Sequence, residues 1–499
     1  MSIKRILIAN RGEIALRVIR TCSDLGIESV AVYSTVDSGA PFVLAADYAC
    51  CIGEARAAES YLRGDKIIEV ALKQGVDAIH PGYGFLSENA EFARQCTEAG
   101  IIFIGPRPET IAAMGAKIEA RQRMIAAGVP VVPGTEEEIT DPLAALQVAR
   151  ETGFPIMLKA AAGGGGKGMR VVSHEDDFNS ALEAARRESS SSFGSDAVYI
   201  EKYLEEPHHI EVQVLADTHG NVIHLFEREC SIQRRHQKVI EETPSPFIDE
   251  DLRQRICATA VQATRGADYV NAGTVEFLVD KHRNYFFLEM NTRLQVEHPV
   301  TEWTTGVDLV EQQILIAEGK PLVLKQEDIR QRGHSIEARI YAEDTQAGFL
   351  PTTGTLTAYH PPAGGWVRLD AAVTTGSEIS VYYDPMIAKL SVYGDNRQVA
   401  LRRLYRALRE YQIDGVDTNI DFCQFVAEHP AFIDGQYNTH FVEVHFNQEE
   451  QQELSDADRK AAIVAGIIRK LTLEQQELDR LPQRDDGCQR DNWKWKHRL

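Results

Sequence analysis

The 8 cysteines include no CxxC pair, so neither a disulfide framework nor a zinc scaffold is indicated, and free thiols in a reducing compartment are expected. Long hydrophobic runs are also missing. No stretch approaches membrane-spanning length, and the chain enters its first strand-like segment at Ile3 with no apolar or amphipathic leader. These absences predict a cytoplasmic protein with no membrane partner. Positive charge is scarce: 53 Lys and Arg stand against 74 Asp and Glu, a formal net charge of -21. Such a field argues against a nonspecific nucleic-acid binder, so any nucleotide site must be locally basic. The turn after the first strand reads Asn10-Arg11-Gly12-Glu13 instead of GxGxxG, which removes support for a dinucleotide site. No internal repeat is evident.

What is present first is alternation of β and α patterns. Strands over residues 5–9, 29–34, 77–80 and 101–104 interleave with helices over 14–25, 66–73 and 88–99, the pattern of a parallel doubly wound sheet. A helix over 117–127 leads to Gly128-Val129-Pro130-Val131-Val132-Pro133-Gly134, a turn-rich boundary. Residues 131–203 then read as a small α+β unit able to act as a lid. Residues 209–215 alternate cleanly and form a hairpin with 221–226, while 273–279 pair with 284–289 through Asp280-Lys281-His282-Arg283. A further β-rich domain is expected from 337 to 392, closed by helices over 397–411 and 418–428. Beyond Asn447 the composition turns polar, with one helix over about 456–470 and a basic aromatic end, Trp493-Lys494-Trp495-Lys496.

Two constellations carry chemistry. In Ala162-Gly163-Gly164-Gly165-Gly166-Lys167-Gly168-Met169 four consecutive glycines carry a large entropic cost, tolerated where backbone N–H groups approach a ligand or the loop must move. Lys159 and Lys167 supply charge for phosphates. Because Gly168 follows Lys167, where a Walker A loop needs Ser or Thr, this is a different phosphate loop. The second constellation is Glu276 and Glu289 on paired strands, followed by Asn291, Arg293, Gln295, Glu297 and His298. The carboxylates suit magnesium, Arg293 can fork onto a planar oxyanion, and Glu297 can accept a proton. Bicarbonate needs both services, though composition alone does not choose it over another carboxylate. A third patch, Cys230-Ser231-Ile232-Gln233-Arg234-Arg235-His236-Gln237-Lys238, reads either as a basic surface stretch or as a site element offering Gln233, His236 and Lys238. Cys230 reads as a packed thiol, since no further ligands are spaced to complete a zinc tetrahedron.

With Ile8-Ala9-Asn10-Arg11-Gly12-Glu13-Ile14-Ala15 and His80-Pro81-Gly82-Tyr83-Gly84-Phe85-Leu86-Ser87-Glu88-Asn89 added, these segments in this order resemble the biotin carboxylase family of ATP-grasp enzymes, from Ile3 to about Phe446. The resemblance implies an α/β and α+β multidomain fold: a Rossmann-like N-terminal domain over 1–114, an ATP-grasp core over 115–330 with a mobile lid at 131–203, a β-rich C-terminal domain over 331–446 and a polar tail over 447–499. It implies ATP, magnesium or manganese, and bicarbonate, with biotin carried on a separate protein. Lys117, Lys159, His209, Gly164, Gly165, Gly166 and Met169 would contact or cover the nucleotide. Glu201, Lys202 and Leu204 would meet the adenine, with Gln233 and His236 nearby. Glu276, Glu289 and Asn291 would hold the metal. Bicarbonate would lie against Lys238, Arg293, Gln295 and the Val296 backbone, with Glu297 as its base. Arg339 would stabilise charge on the biotin oxygen, and Tyr83 would line the biotin pocket.

No Met-Lys-Met carrier motif and no carboxyltransferase-sized region occur. A separate carrier protein and a carboxyltransferase subunit are therefore expected, with acetyl-CoA, another acyl-CoA or pyruvate as final acceptor, and the resemblance implies a homodimer. Two other classes compete. Another ATP-grasp carboxylate-amine ligase would share the lid and the metal carboxylates but have no use for Arg339 or the Lys238 patch. A non-catalytic scaffold would have lost one of Glu276, Glu289, Arg293, Glu297 or Arg339, and all are present.

Overall fold

The computed structural model describes residues 2–135, 142–160, 169–193, 197–446, 464 and 466–472. Aliphatic runs build the first sheet. β1 (Arg5–Ile8), β2 (Glu28–Ser34), β3 (Tyr48–Gly53), β4 (Ala78–His80) and β5 (Ile102–Phe103) are parallel, in the order β3-β2-β1-β4-β5. The doubly wound expectation holds. One strand had no sequence signal: β3 is an edge strand, open to solvent over much of its length, and lacks the apolar run of a central parallel strand. Beyond β1, Asn10 Nδ2 donates to the carbonyls of Pro81 and Tyr83, at 2.7 Å each. Between them Gly82 holds φ 63°, and a Cβ there would lie 2.8 Å from Asn10 Nδ2. Glycine is what lets these two loops meet.

A second, small sheet follows. β6 (Ile156–Ala160), β7 (Arg170–Val172) and β8 (Val198–Lys202) are antiparallel in the order β7-β6-β8. Helices Pro142–Thr152 and Phe178–Phe193 flank them, and Ile156, Leu158, Phe178, Leu182 and Ile200 form a core of their own. The loop holding Gly164, Gly165 and Gly166 lies outside the described residues.

The largest sheet has eight strands. β9 (His208–Ala216), β10 (Val222–Arg234), β11 (Gln237–Thr243), β12 (Asn271–Val279), β13 (Tyr285–Asn291) and β14 (His334–Tyr341) run in the order β13-β12-β9-β10-β11-β14, continued by strands Met386–Gly394 and Val367–Ala371. The C-terminal β-rich stretch therefore extends the central sheet through β11–β14 pairing, with Ile240 opposite Ala338. β10 runs to Arg234, past the hairpin end expected at 226. A bulge between His224 and Glu227, with Phe226 at φ 63°, absorbs the irregularity and lets pairing resume.

Alternation divides the faces of this sheet. In β9, Ile210, Val212 and Val214 pack onto the helix Glu250–Gly266 through Leu252, Ile256 and Ala260. In β14, Ile336, Ala338 and Ile340 face Leu404, Leu408 and Phe422. The intervening residues, His209, Glu211, Gln213, Glu337 and Arg339, point the other way and are buried too. The helix His298–Thr305 packs on that polar face, against β10, β11, β14 and the strand Met386–Gly394.

No helix among the described residues is long and apolar enough to cross a membrane. In the tail, residues 464 and 466–472 are helical, within the expected helix and two residues beyond it; Val464, Ile467, Ile468 and Leu471 are exposed. Trp493 and Trp495 lie outside the described residues.

Glu242 ties the C-terminal core together. It is 1% exposed and meets Arg397 Nε at 2.7 Å, Arg397 Nη2 at 2.9 Å, His334 Nε2 at 2.5 Å and the Tyr437 hydroxyl. Burial opposes its ionisation, yet Arg397 and His334 hold the carboxyl down to about 2. A carboxyl depressed in the folded state contributes stability above its unfolded pKa and loses it as pH falls through the folded value. Glu242→Gln is expected to cost about 3 kcal/mol at pH 7, a deficit that shrinks between pH 4.5 and 2. Unfolding curves of the two proteins measured across that window check this; a constant deficit contradicts it.

Candidate active site

The polar face of the central sheet converges on one ammonium group. β10 and β11 are joined by a two-residue turn, Arg235 and His236, at φ 49° and 67°. This turn pairs Gln233 with Lys238 and sends Lys238 back over the sheet. Lys238 Nζ lies 2.5 Å from Glu211 Oε2, 2.8 Å from Glu276 Oε1 and 2.8 Å from Glu297 Oε1. Its three protons thus meet three carboxylates from β9, β12 and the start of the His298 helix. Burial opposes the charge, but Glu211, Glu276 and Glu297 push the ammonium well above its ordinary range.

Glu297, like Glu211, is 0% exposed. Its Oε1 takes Lys238, and its Oε2 takes Arg339 Nη2 at 2.8 Å. Burial works against ionisation, but Lys238, Arg339 and Arg228 hold the carboxyl well below its usual range. The group is an anion at neutral pH, as a general base must be. Arg339 also donates through Nε to Glu241 at 2.6 Å. Burial, with Glu297 nearby, pushes Glu241 up to about 7.

Cation-binding capacity sits one strand away. Glu276 and Glu289 are directly opposite in the β12–β13 ladder, which sets their Cβ atoms about 5 Å apart. Asn291 Nδ2 donates to Glu276 Oε1 at 2.8 Å, and Gln295 Nε2 reaches the same oxygen at 3.2 Å. His209 Nε2 lies 2.8 Å from Glu276 Oε2, and Gln233 Nε2 lies 2.8 Å from His209 Nδ1. Glu289 is open to solvent at the rim, yet enclosure of its carboxyl and the adjacent Glu276 charge push it up. Facing carboxylates with an amide oxygen at hand, and one imidazole at the edge, fit magnesium or manganese.

Arg293 is positioned by Glu88, whose Oε2 accepts from Nε at 2.9 Å, while its other nitrogens reach Gln295 Oε1 at 3.0 Å and Asn291 Oδ1 at 3.2 Å. Tyr83 donates its hydroxyl to Glu13. On the lid side, Lys159 pairs with Glu201, which also lies 3.7 Å from Arg121. Burial and Lys159 push the Lys117 ammonium down. Lys202 donates its amide to Pro133 and its Nζ to the Gly153 carbonyl, both at 2.7 Å. Leu204 and Met169 are half-buried. Of the residues expected from the 230–238 patch, Gln233 and Lys238 join the site, whereas His236 is exposed at the turn tip. Cys230 is buried 4.0 Å from Glu297 Oε1. Burial and Glu211 push its thiol well up, so it stays protonated, as a packed thiol does.

Residues 2–111 match the family described as "Biotin carboxylase, N-terminal domain". Residues 116–325 match "Carbamoyl-phosphate synthase L chain, ATP binding domain", and 337–444 match "Biotin carboxylase C-terminal domain". Biotin carboxylase 2 of Bacillus subtilis is 54% identical over 441 residues, covering 88% of this chain and 99% of that one. The chain belongs to the biotin carboxylase family. Another relative, the mitochondrial methylcrotonoyl-CoA carboxylase subunit alpha of Dictyostelium discoideum, is 48% identical over 480 residues, 96% of this chain and 69% of that one. A solved structure, the biotin carboxylase domain dimer of Hydrogenobacter thermophilus 2-oxoglutarate carboxylase with MgADP, ADP and bicarbonate, matches with TM-score 0.86 at 46% identity, covering 91% of this chain and 100% of that one.

Several buried partners in this biotin carboxylase fold could not be assigned a partner from the sequence: Glu211, Arg228, Glu241 and Lys389. Arg228, fully buried, donates through Nε to Glu211, through Nη1 to Gln213 at 2.8 Å and Thr301 at 3.0 Å, and through Nη2 to Thr274 at 3.2 Å. Removing one member of such a buried pair strands the other. Arg228→Met is expected to destabilise by about 3–5 kcal/mol. Adding Glu211→Gln should recover at least about 1 kcal/mol relative to the sum of the single changes. A double-mutant cycle by chemical denaturation reads this; strict additivity contradicts the coupling.

Proposed function

We propose that the chain is the biotin carboxylase component of a multisubunit carboxylase, using ATP and bicarbonate to carboxylate biotin on a carrier protein. One observation carries the proposal: a fully buried Glu297 carboxyl held between Lys238 and Arg339, beside the paired carboxylates of Glu276 and Glu289. The sequence resemblance to stand-alone biotin carboxylases and the MgADP and bicarbonate bound in the Hydrogenobacter domain support it.

In this reading, bicarbonate enters against Lys238, Arg293, Gln295 and the Val296 backbone, and Glu297 takes its proton. The freed oxyanion attacks the γ-phosphate, giving carboxyphosphate and ADP. Lys238 stays between Glu211, Glu276 and Glu297 and balances the charge as the proton moves. Carboxyphosphate decomposes to carbon dioxide and phosphate, and that phosphate takes the ureido proton of biotin. Arg339 then faces the biotin oxygen as charge grows there, favouring the transition state over the ground state. Tyr83 lines the biotin side. Glu276, Glu289 and Asn291 would hold magnesium or manganese, which when bound supplies neutralising charge at the phosphates.

Lys117, Lys159, His209, Gly164, Gly165, Gly166 and Met169 would meet the phosphates or cover them. Glu201, Lys202 and Leu204 would take the adenine, with Gln233 and His236 near it. The functional segments proposed are 1–114, 115–330 with a lid at 131–203, 331–446, and the tail 447–499. The lid proposal is supported by its separate apolar core, and closure would keep water from carboxyphosphate. A carrier protein, a carboxyltransferase subunit and a second copy of this chain are the partners proposed. Acetyl-CoA, another acyl-CoA or pyruvate is the acceptor proposed, and the match to the Dictyostelium methylcrotonoyl-CoA carboxylase subunit, which reaches 480 residues, supports a role for the tail in subunit docking.

The test is ADP release by the purified chain with magnesium and bicarbonate, with and without free biotin. Biotin should stimulate turnover and become carboxylated. Glu297→Gln should lower kcat by about 100-fold or more, and Arg339→Ala should chiefly abolish the biotin stimulation. ATP turnover indifferent to both bicarbonate and biotin would overturn the assignment in favour of another ATP-grasp ligase.

A further inference from the structure

The segment Gln295-Val296-Glu297 is held from behind by two buried side chains that the mechanism above leaves unused. His298 is fully buried, and its Nδ1 lies 2.8 Å from the Gln295 carbonyl oxygen. Lys389 is 1% exposed and donates through Nζ to the Val296 carbonyl at 2.9 Å. Lys389 is itself anchored, 3.2 Å from Glu13 Oε2 and 3.7 Å from Asp370 Oδ2. Two consecutive carbonyls are thus drawn to the buried side, while Val296 keeps part of its surface open.

A trans peptide is planar, with its C=O and N–H on opposite sides. The only cis bonds among the described residues are Phe154–Pro155 and Thr243–Pro244. With the Gln295 carbonyl turned to His298, the Val296 N–H must face away from His298. With the Val296 carbonyl turned to Lys389, the next plane is fixed as well. We infer that His298 and Lys389 are positioning residues that lock these two peptide planes and so present the Val296 N–H to the anion.

A carbonyl only accepts, so the His298 Nδ1 must carry the proton. Burial and the charges of Lys389, Arg17 and Arg368 keep the ring neutral, which leaves Nε2 unprotonated; Nε2 has no hydrogen-bond partner among the described residues. An imidazole in this tautomer is a fixed donor, and the peptide plane cannot flip without stranding that donor in a buried site. Lys389 donates to the next carbonyl from a site where Glu13 and Asp370 balance its charge. The pair forms a rigid rear wall for the anion subsite, the kind of preorganisation that favours binding without reorganisation.

The inference rests on the proposed bicarbonate role of Val296. It is tested with His298→Asn, whose amide nitrogen can replace Nδ1 as donor, and His298→Leu, which cannot donate. In 15N-valine-labelled protein, the Val296 amide resonance should shift on adding bicarbonate to the wild type and to His298→Asn. In His298→Leu the KM for bicarbonate should rise about tenfold or more, equivalent to about 1.4 kcal/mol, with the KM for ATP changed less than about threefold. Unaltered bicarbonate response in a folded His298→Leu overturns the inference. So does a 15N-histidine spectrum of the wild type showing His298 protonated at Nε2 and not Nδ1, a measurement that needs no variant. A wild type whose ATP turnover ignores bicarbonate instead contradicts the functional reading itself.

Discussion

Three buried carboxylates share one ammonium. Glu211, Glu276 and Glu297 come from distant parts of the chain, and Lys238 is what allows them to lie together. Without it, their charges would face one another away from water, where like-charge repulsion is costly. Adding Glu241, Arg228 and Arg339 gives four carboxylates and three fixed cations, with His209 at the edge. The cluster is therefore close to neutral inside a chain of net charge -21. That near-balance leaves Glu297 ionised.

Such a cluster does little for stability, because desolvation offsets much of the ion-pair attraction. Stability comes from the other face of the same strands. Ile210, Val212 and Val214 bury against one helix, and Ile336, Ala338 and Ile340 against the C-terminal core. Residue alternation therefore lets one sheet separate its two tasks. It also explains why the C-terminal strands extend the sheet: Arg339 must stand beside Glu241 of β11 and beside Glu297, Lys389 lies opposite Arg339 on the next strand, and β-pairing sets their register.

Chemistry that lies close together in sequence was legible. The Glu289-to-Pro299 run and the paired glutamates could be picked out as one polar cluster, and the structure does bring Glu276, Asn291, Arg293 and Gln295 together. The parallel N-terminal sheet was readable from buried aliphatic runs. What stayed hidden came from pairing across distance. Lys389 sits in Met386-Ile387-Ala388-Lys389-Leu390, and nothing local says that its ammonium ends beside the Val296 carbonyl. Arg228 lies in the charged stretch Glu227-Arg228-Glu229, which looks like the end of a hairpin; the bulge at Phe226 instead carries it into the middle of a buried strand. Glu211 did leave a trace, as a carboxylate alternating with Ile210 and Val212, but its partner could not be named from spacing.

The central claim is that Lys238 keeps the buried Glu297 ionised. The direct measurement is the 13C resonance of the Glu297 carboxyl, assigned through Glu297→Gln, followed over about pH 5 to 8 in the wild type and in Lys238→Met. The account predicts no titration in the wild type and a pKa raised into that range in Lys238→Met. A Glu297 carboxyl that titrates within that range in the wild type, or that stays ionised throughout it in Lys238→Met, would contradict it.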